Sequence, residues 1–158
     1  MFKKILVPHA GTLEGDIALD HAIKLAQLCS SEITILHVIE DLPTMPVLYI
    51  HAVQAKKIKD EIKRVIKEMK KVMETEMNKK IEKCEKNKVP SYLKISSGFP
   101  DEEIQRIVEN QKIDLVVMAK RRKLKGFKKL LRLGSVSRKV AENTSCPVLL
   151  IDVEKLKN

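Results

Sequence analysis

The chain has no tryptophan, two tyrosines and three phenylalanines, so only 3% of its 158 residues are aromatic. That scarcity weighs against a module that reads RNA by stacking bases on aromatic side chains. Cys29, Cys84 and Cys146 are odd in number, far apart and without a Cys-X-X-Cys pair; reduced thiols in an intracellular protein are expected. No run approaches the ~20 apolar residues of a membrane span. The basic start Met1-Phe2-Lys3-Lys4 leads only to a brief apolar run before Pro8, so no signal peptide is expected. The expected location is cytoplasmic, with no membrane partner. Gly-X-X-X-X-Gly-Lys-Ser/Thr, Gly-X-Gly-X-X-Gly, His-Glu-X-X-His and Gly-X-Ser-X-Gly are all missing. Without them no phosphoryl-transfer, hydride-transfer, zinc or serine-hydrolase constellation is assembled, and catalysis is not expected.

What the chain does have is positive charge and regular apolar patterning. The formal net charge is +10 and 44% of residues are hydrophobic. The charge suits anionic partners, and the length suits one domain over 1–158 that buries about two-thirds of its unfolded surface. Strand and helix signals alternate. Lys4-Ile5-Leu6-Val7-Pro8 reads as a strand, and 16–29 repeats Ala18, Ala22, Leu25, Ala26 and Cys29 at helical spacing, with Asp16, Asp20 and Lys24 on another face. Cys29 and Cys146 read as small core residues. Ile33 to Ile39 is a β-branched strand, and a helix over about 52–87 carries Ile58, Ile62, Val65, Met69, Val72, Met73, Met77, Ile81 and Cys84. Further strands are expected at 92–96, 113–118 and 147–152, with helices from about 101 and after Gly134. Strands joined by helical crossovers favour a parallel sheet covered on both faces.

The densest chemical signal runs from the strand at 113–118 to the helix after Gly134. Eight of the thirteen residues from Lys120 to Arg132 are Lys or Arg, and the stretch ends in Gly134-Ser135. Unpaired N–H groups and the positive end of a helix dipole favour a phosphate-like anion there. The plainer reading is that Ser135 caps the helix and Gly134 permits the turn. For the loop itself, an anionic ligand or partner and a simple solvated face stand as equal alternatives.

Taken in order, several segments resemble the universal stress protein family. They are Lys3-Lys4-Ile5-Leu6-Val7-Pro8, the helix Ala18 to Ala26, Leu36-His37-Val38-Ile39-Glu40, the pair Gly98 and Pro100, and Asp114 to Met118. Leu133-Gly134-Ser135-Val136-Ser137 and Cys146-Pro147-Val148-Leu149-Leu150 complete the set. The resemblance implies a five-stranded parallel α/β sheet in the order 3-2-1-4-5, with helices on both faces, of the adenine nucleotide alpha hydrolase-like type. It implies a homodimer paired through the last strand, and a site for ATP or another phosphate-bearing ligand at the carboxyl ends of strands one, two and four. The candidate ligand-binding residues are then Pro8, His9, Ala10, Val38, Arg121, Arg122, Lys123, Gly134 and Ser135.

Departures from the family pattern bear directly on that site. Ala10 stands where ATP-binding members carry an acidic residue. Their Gly-X-X-Gly, nine residues, then Gly-Ser or Gly-Thr becomes Ala119 and Arg122 followed by eleven residues before Gly134-Ser135. A side chain obstructs the close approach of backbone to phosphate. Arg121, Arg122, Lys123 and Lys125 offer cationic contacts in place of that nest. ATP binding is therefore expected to be weak or absent, and no cofactor is required.

Other features carry weaker readings. His9 and His37 lie at the ends of neighbouring strands, within reach of a shared metal or phosphate. The favoured reading makes His37 a residue at the rim of the sheet and His9 a polar loop residue that replaces part of the missing carboxylate's contact with a ligand; no metal site is expected. His21 and His51 read as helix-surface positions. Segment 42–50, with two prolines, reads as an anchor for the long helix, with a lid over the cleft as the alternative. That helix would measure about 54 Å, so it should bend, break or protrude. Its 4-3-4-3 spacing from Ile58 to Val72 resembles a coiled-coil seam, but Glu76 interrupts it, and a core-facing stripe is the better reading. The function expected is a non-catalytic homodimeric sensor or adaptor in stress response, with an unidentified protein partner. A basic module with weak, non-specific nucleic-acid binding through 120–132 and a slow nucleotide hydrolase are the alternatives.

Overall fold

A computed structural model describes residues 1–40, 52–120 and 134–153. Five strands, β1 (Lys4–Pro8), β2 (Glu32–Glu40), β3 (Ser91–Gly98), β4 (Leu115–Lys120) and β5 (Val148–Asp152), alternate with four helices. These are α1 (Leu13–Cys29), α2 (Ala52–Lys86), α3 (Pro100–Gln111) and α4 (Ser135–Asn143). The strands form one sheet in the order β3-β2-β1-β4-β5, as expected from the sequence. Every pairing is parallel, with Ile5 opposite Ile33 on one side and Leu115 on the other.

Alternation along each strand sorts the core into two layers. Ile5, Val7, Ile33, Ile35, Leu115 and Val117 point to one face, where Ala18, Leu19, Ala22 and Ala26 of α1 and Met77 and Cys84 of α2 cover them. Leu6, Leu36, Val116 and Met118 point to the other, under Ile104, Ile107 and Val108 of α3 and Val140 of α4. The strands buried on both sides are continuous aliphatic runs, as a doubly covered parallel sheet requires.

Local chemistry sets the element ends. Helix α1 begins at Leu13, three residues before the apolar periodicity starts, because the Thr12 hydroxyl accepts the Gly15 N–H at 3.4 Å. Gly98 closes β3 at φ +141°, a conformation open to glycine and strained for other residues, and Pro100 then opens α3. β3 is longer than expected, while β4 starts and ends two residues later.

Two expectations are corrected, on the cysteines and on the apolar row of α2. Cys84 is the buried cysteine, whereas Cys29 and Cys146 are only half-buried. Helix α2 is a single 35-residue helix, about 52 Å long, of which Met77 and Cys84 enter the core. The Ile58 to Val72 row does not face that core: Ile58, Ile62, Val65, Met69 and Val72 are 37–62% exposed. The row lies about 100° around the helix from Met77 and Cys84, at 3.6 residues per turn. Segment 42–50 and His51 lie outside the described residues.

Candidate functional site

All five strands end on the same side of the sheet, at Pro8, Glu40, Gly98, Lys120 and Asp152. The chain runs outward from β1 to β2 and β3 in one direction and to β4 and β5 in the other. The crevice where the order reverses, between β1 and β4, is where such sheets hold ligands.

His9 follows β1 directly, and its N–H donates to the Leu36 carbonyl at 2.8 Å, extending the β1–β2 pairing by one residue. The residue is 2% exposed, with its ring fully buried. Nδ1 accepts the Gly11 N–H at 3.0 Å, so Nε2 carries the proton and donates it to Asp16 Oδ1 at 3.1 Å. The sharp turn that aims the Gly11 N–H back at the ring is set by Gly11 at φ +75°. Gly15 leaves space for the ring: a Cβ there would lie 3.0 Å from His9 Cε1.

Two further contacts extend this cluster. Lys80 Nζ on α2 reaches Asp16 Oδ1 at 2.6 Å, and His37 Nδ1 donates to the His9 carbonyl at 2.8 Å. His37, Asp16 and Lys80 thus tie β2, α1 and α2 to the β1–α1 loop. Burial pushes the His9 imidazolium pKa down, against the opposing pull of Asp16. Protonation would also place an Nδ1–H against the Gly11 N–H. Burial would raise the Asp16 carboxyl, but the Lys80 hydrogen bond and charge outweigh it, and the net shift is downward. The site therefore holds a neutral imidazole and a fixed carboxylate, both engaged inside the protein.

His9 is accordingly not a polar loop residue open to a ligand, because both ring nitrogens have internal partners. His37 is buried at 8% exposure, with its Nδ1 committed to His9. His21 is half-buried on α1. Pro8 and Val38 are half-buried at the ends of β1 and β2, opposite Leu36 and Ser96, whereas Ala10 is exposed on the loop. The strand ends bring Pro8, His9, Ala10 and Val38 together. Ala10 presents a methyl group, not a carboxylate, on this loop.

The second half of the site is only partly described. Ala119 is a strand residue paired with Ile151 and packed against the α1–α2 side of the core, rather than a loop residue near a phosphate. Arg121, Arg122, Lys123 and Lys125 lie outside the described residues. Gly134 is the N-cap of α4 with φ −63° and ψ 157°, and as a glycine it has no side chain to cap the helix. This corrects the capping role read for Ser135, which is exposed in the first helical position. Gly134 also adopts extended backbone that other residues could take, so freedom at φ > 0 does not explain it. What remains is a helix N-terminus with no capping side chain from its own N-cap residue, whose N–H groups suit an anion.

Sequence reasoning missed Gly11, Gly15 and Lys80, and it left Asp16 as a surface carboxylate. One signal was present: Asp16 and Asp20 lie one turn apart on α1, and Lys80 and Lys83 nearly one turn apart on α2. The two pairs meet, with Lys83 Nζ 2.5 Å from Asp20 Oδ1. Among the described residues no group of three or more His, Cys, Asp or Glu side chains could hold a metal ion. A cavity of about 470 Å³ lined by Lys3, Lys4, Gln27, Ser30 and Lys88 lies at the opposite end of the sheet, where β1 and β2 begin. No described helix is long and apolar enough to cross a membrane.

Comparisons with known proteins agree with this architecture. A family model described as the universal stress protein family matches residues 1–152. Universal stress protein YxiE of Bacillus subtilis is 31% identical over 156 residues, covering 96% of this chain and 99% of that protein. Universal stress protein MJ0531 of Methanocaldococcus jannaschii is 30% identical over 157 residues, covering 98% of this chain and 85% of that one. The solved structure of MJ0577 from the same archaeon superposes with a TM-score of 0.78 at 26% identity, over 96% of each chain. A universal stress protein in complex with cAMP (TM-score 0.68, 14% identity) and one from Arabidopsis thaliana with AMP bound (TM-score 0.59, 18% identity) share the fold.

Proposed function

The chain belongs to the universal stress protein family, and from that premise we propose that it is a non-catalytic sensor or adaptor with a remodelled cleft, in which a phosphate-bearing anion binds but ATP binds weakly. The observation that carries this reading is the β1–α1 loop. The carboxylate usual in ATP-binding members is replaced by Ala10, and the neighbouring imidazole of His9 is consumed by Gly11 and Asp16. Related folds hold cAMP and AMP, so the architecture admits a nucleotide-sized anion. This chain's own side chains then set how tightly. Support for an anion rather than a neutral ligand comes from the start of α4, where the N-cap Gly134 brings no side chain, and from the cations between Lys120 and Arg132.

The absence of catalysis is part of the proposal. A hydrolase would need a positioned base or metal ligand facing the cleft, and among the described residues the nearest candidates, His9 and Asp16, are held by one another and by Lys80. The adaptor role rests on assembly through β5, an edge strand in which Leu149 is 37% exposed; such an edge pairs readily with a second copy. Native mass spectrometry of protein purified without added nucleotide, with identification of what is released, tests the ligand class. A phosphate-bearing molecule is expected, and a neutral one would overturn the assignment. Turnover of ATP to ADP well above the uncatalysed rate would overturn the non-catalytic reading.

A further inference from the structure

Helix α2 does two different things along its length. Its C-terminal half enters the core through Met77 and Cys84, while residues 56–72 present Ile58, Ile62, Val65, Met69 and Val72 to solvent at 37–62% exposure. At 3.6 residues per turn these five fall within about 80° of arc, a continuous apolar stripe roughly 21 Å long. Five large apolar side chains exposed side by side form a contiguous patch, unlike the singly scattered apolar residues of an ordinary surface. The rest of that half-helix is strongly cationic: between positions 56 and 72 eight lysines and arginines face three carboxylates. One of the three, Glu61, is within 3.9 Å of Arg64.

The charge decides what fits the stripe. A second copy of the helix would bring two cationic segments side by side. In an antiparallel pair it would also set Glu61 near the partner's Glu68, a like-charge contact on the flank of the seam. Nucleic acid satisfies the charge but leaves the aliphatic stripe in water. An anionic lipid surface satisfies both, since an amphipathic helix can lie in the headgroup plane with its apolar stripe inward while long cationic side chains on the flanks of the stripe reach acidic headgroups and the remaining cations add to the attraction. We propose that residues 56–72 of α2 form a docking surface for anionic lipid membranes, held by the Ile58 to Val72 stripe and the flanking cations Lys57, Lys59 and Arg64. This revises the expectation of no membrane partner, for peripheral contact only.

Co-sedimentation with vesicles tests the proposal, using phosphatidylcholine alone and phosphatidylcholine with about 30% phosphatidylserine. The full chain should bind the mixed vesicles at low salt, bind the neutral ones at least tenfold less, and weaken as salt rises. Ile62→Gln with Met69→Gln keeps helix propensity and alters two exposed positions; it should weaken binding at least tenfold while unfolding by urea stays unchanged. Lys57→Gln, Lys59→Gln and Arg64→Gln together, the cations nearest the flanks of the stripe at 3.6 residues per turn, should weaken it by on the order of 100-fold. Replacing Arg121, Arg122, Lys123 and Lys125 by Ser should leave it largely intact. The proposal fails if mixed vesicles are not bound at low salt, or if the Ile62 and Met69 variant binds as well as the parent. It fails equally if only the 121–125 variant loses binding. Self-association removed by the Ile62 and Met69 variant, without lipid binding, would assign the stripe to a second copy instead.

Discussion

Gly15→Ala should change sign with the residue at position 9. In an ordinary helix interior the substitution gains about 1 kcal/mol, because alanine loses less backbone entropy than glycine. Here the added Cβ would meet His9 Cε1 at 3.0 Å and both ring nitrogens at 3.1 Å. Those distances require the ring to give by a few tenths of an ångström. The ring is poorly able to do so, since Gly11 holds one nitrogen and Asp16 the other inside a site that is 2% exposed. Overpacking of this kind costs about 1–3 kcal/mol, so in the parent protein the net effect is a loss of up to about 2 kcal/mol. With His9→Ala the obstruction is gone, and Gly15→Ala should stabilise by about 1 kcal/mol relative to the single variant. Urea unfolding of the four proteins in the cycle measures this directly. If Gly15→Ala stabilises both backgrounds equally, the tight packing around His9 is refuted.

The same cluster predicts acid sensitivity. His9 is held neutral with its pKa below the ordinary 6.5, so the unfolded chain takes up its proton first, and stability should fall as pH drops below about 6.5 until the folded-state value is passed. The slope from this group is at most about 1.4 kcal/mol per pH unit. Urea midpoints from pH 7.5 to 5 check it, and His9→Ala should flatten the decline. Asp16, whose pKa is also lowered, adds a second loss that begins only as pH approaches its own, more acidic range. Assembly through β5 should give a dimer by sedimentation at micromolar concentration. Leu149→Lys, at an exposed position on that strand, should yield a folded monomer; a dimer that survives it would place the contact elsewhere. For the basic loop, if about four cations meet duplex phosphates, log affinity should fall against log salt with slope near −3.6, or roughly 150-fold for a fourfold rise in salt. Replacing Arg121, Arg122, Lys123 and Lys125 by Ser should then lower both affinity and slope. Submicromolar, sequence-selective binding lost in that variant would make nucleic-acid binding the leading function.

The sheet was legible because its strands are buried on both faces. Runs such as Ile33-Thr34-Ile35-Leu36 and Leu115-Val116-Val117-Met118 have few alternatives when helical segments separate them. Helix ends were less so: the start of α1 depends on one Thr12 hydroxyl, which periodicity does not register. The stripe on α2 was misassigned for a physical reason. Heptad spacing fixes which residues share a helix face, but not which face meets the core, and that was decided by Met77 and Cys84 further along. Within the site, Ala10 and Ala119 could be read as departures because they are single replacements in a known pattern. The His9–Asp16–Lys80 cluster could not, since Lys80 lies 64 positions from Asp16 and meets it only once α2 packs beside α1.

The loss of ATP affinity is the central claim, and calorimetric titration of ATP into the purified chain, without other ligand, tests it most directly. Heats too small to define a stoichiometric isotherm at micromolar protein are predicted, because Ala10 supplies no carboxylate and Arg122 stands where the family pattern has a glycine, with a longer stretch before Gly134. A tight isotherm with one ATP per chain would contradict the account, and would mean that the cations from Arg121 to Lys125 had replaced those contacts.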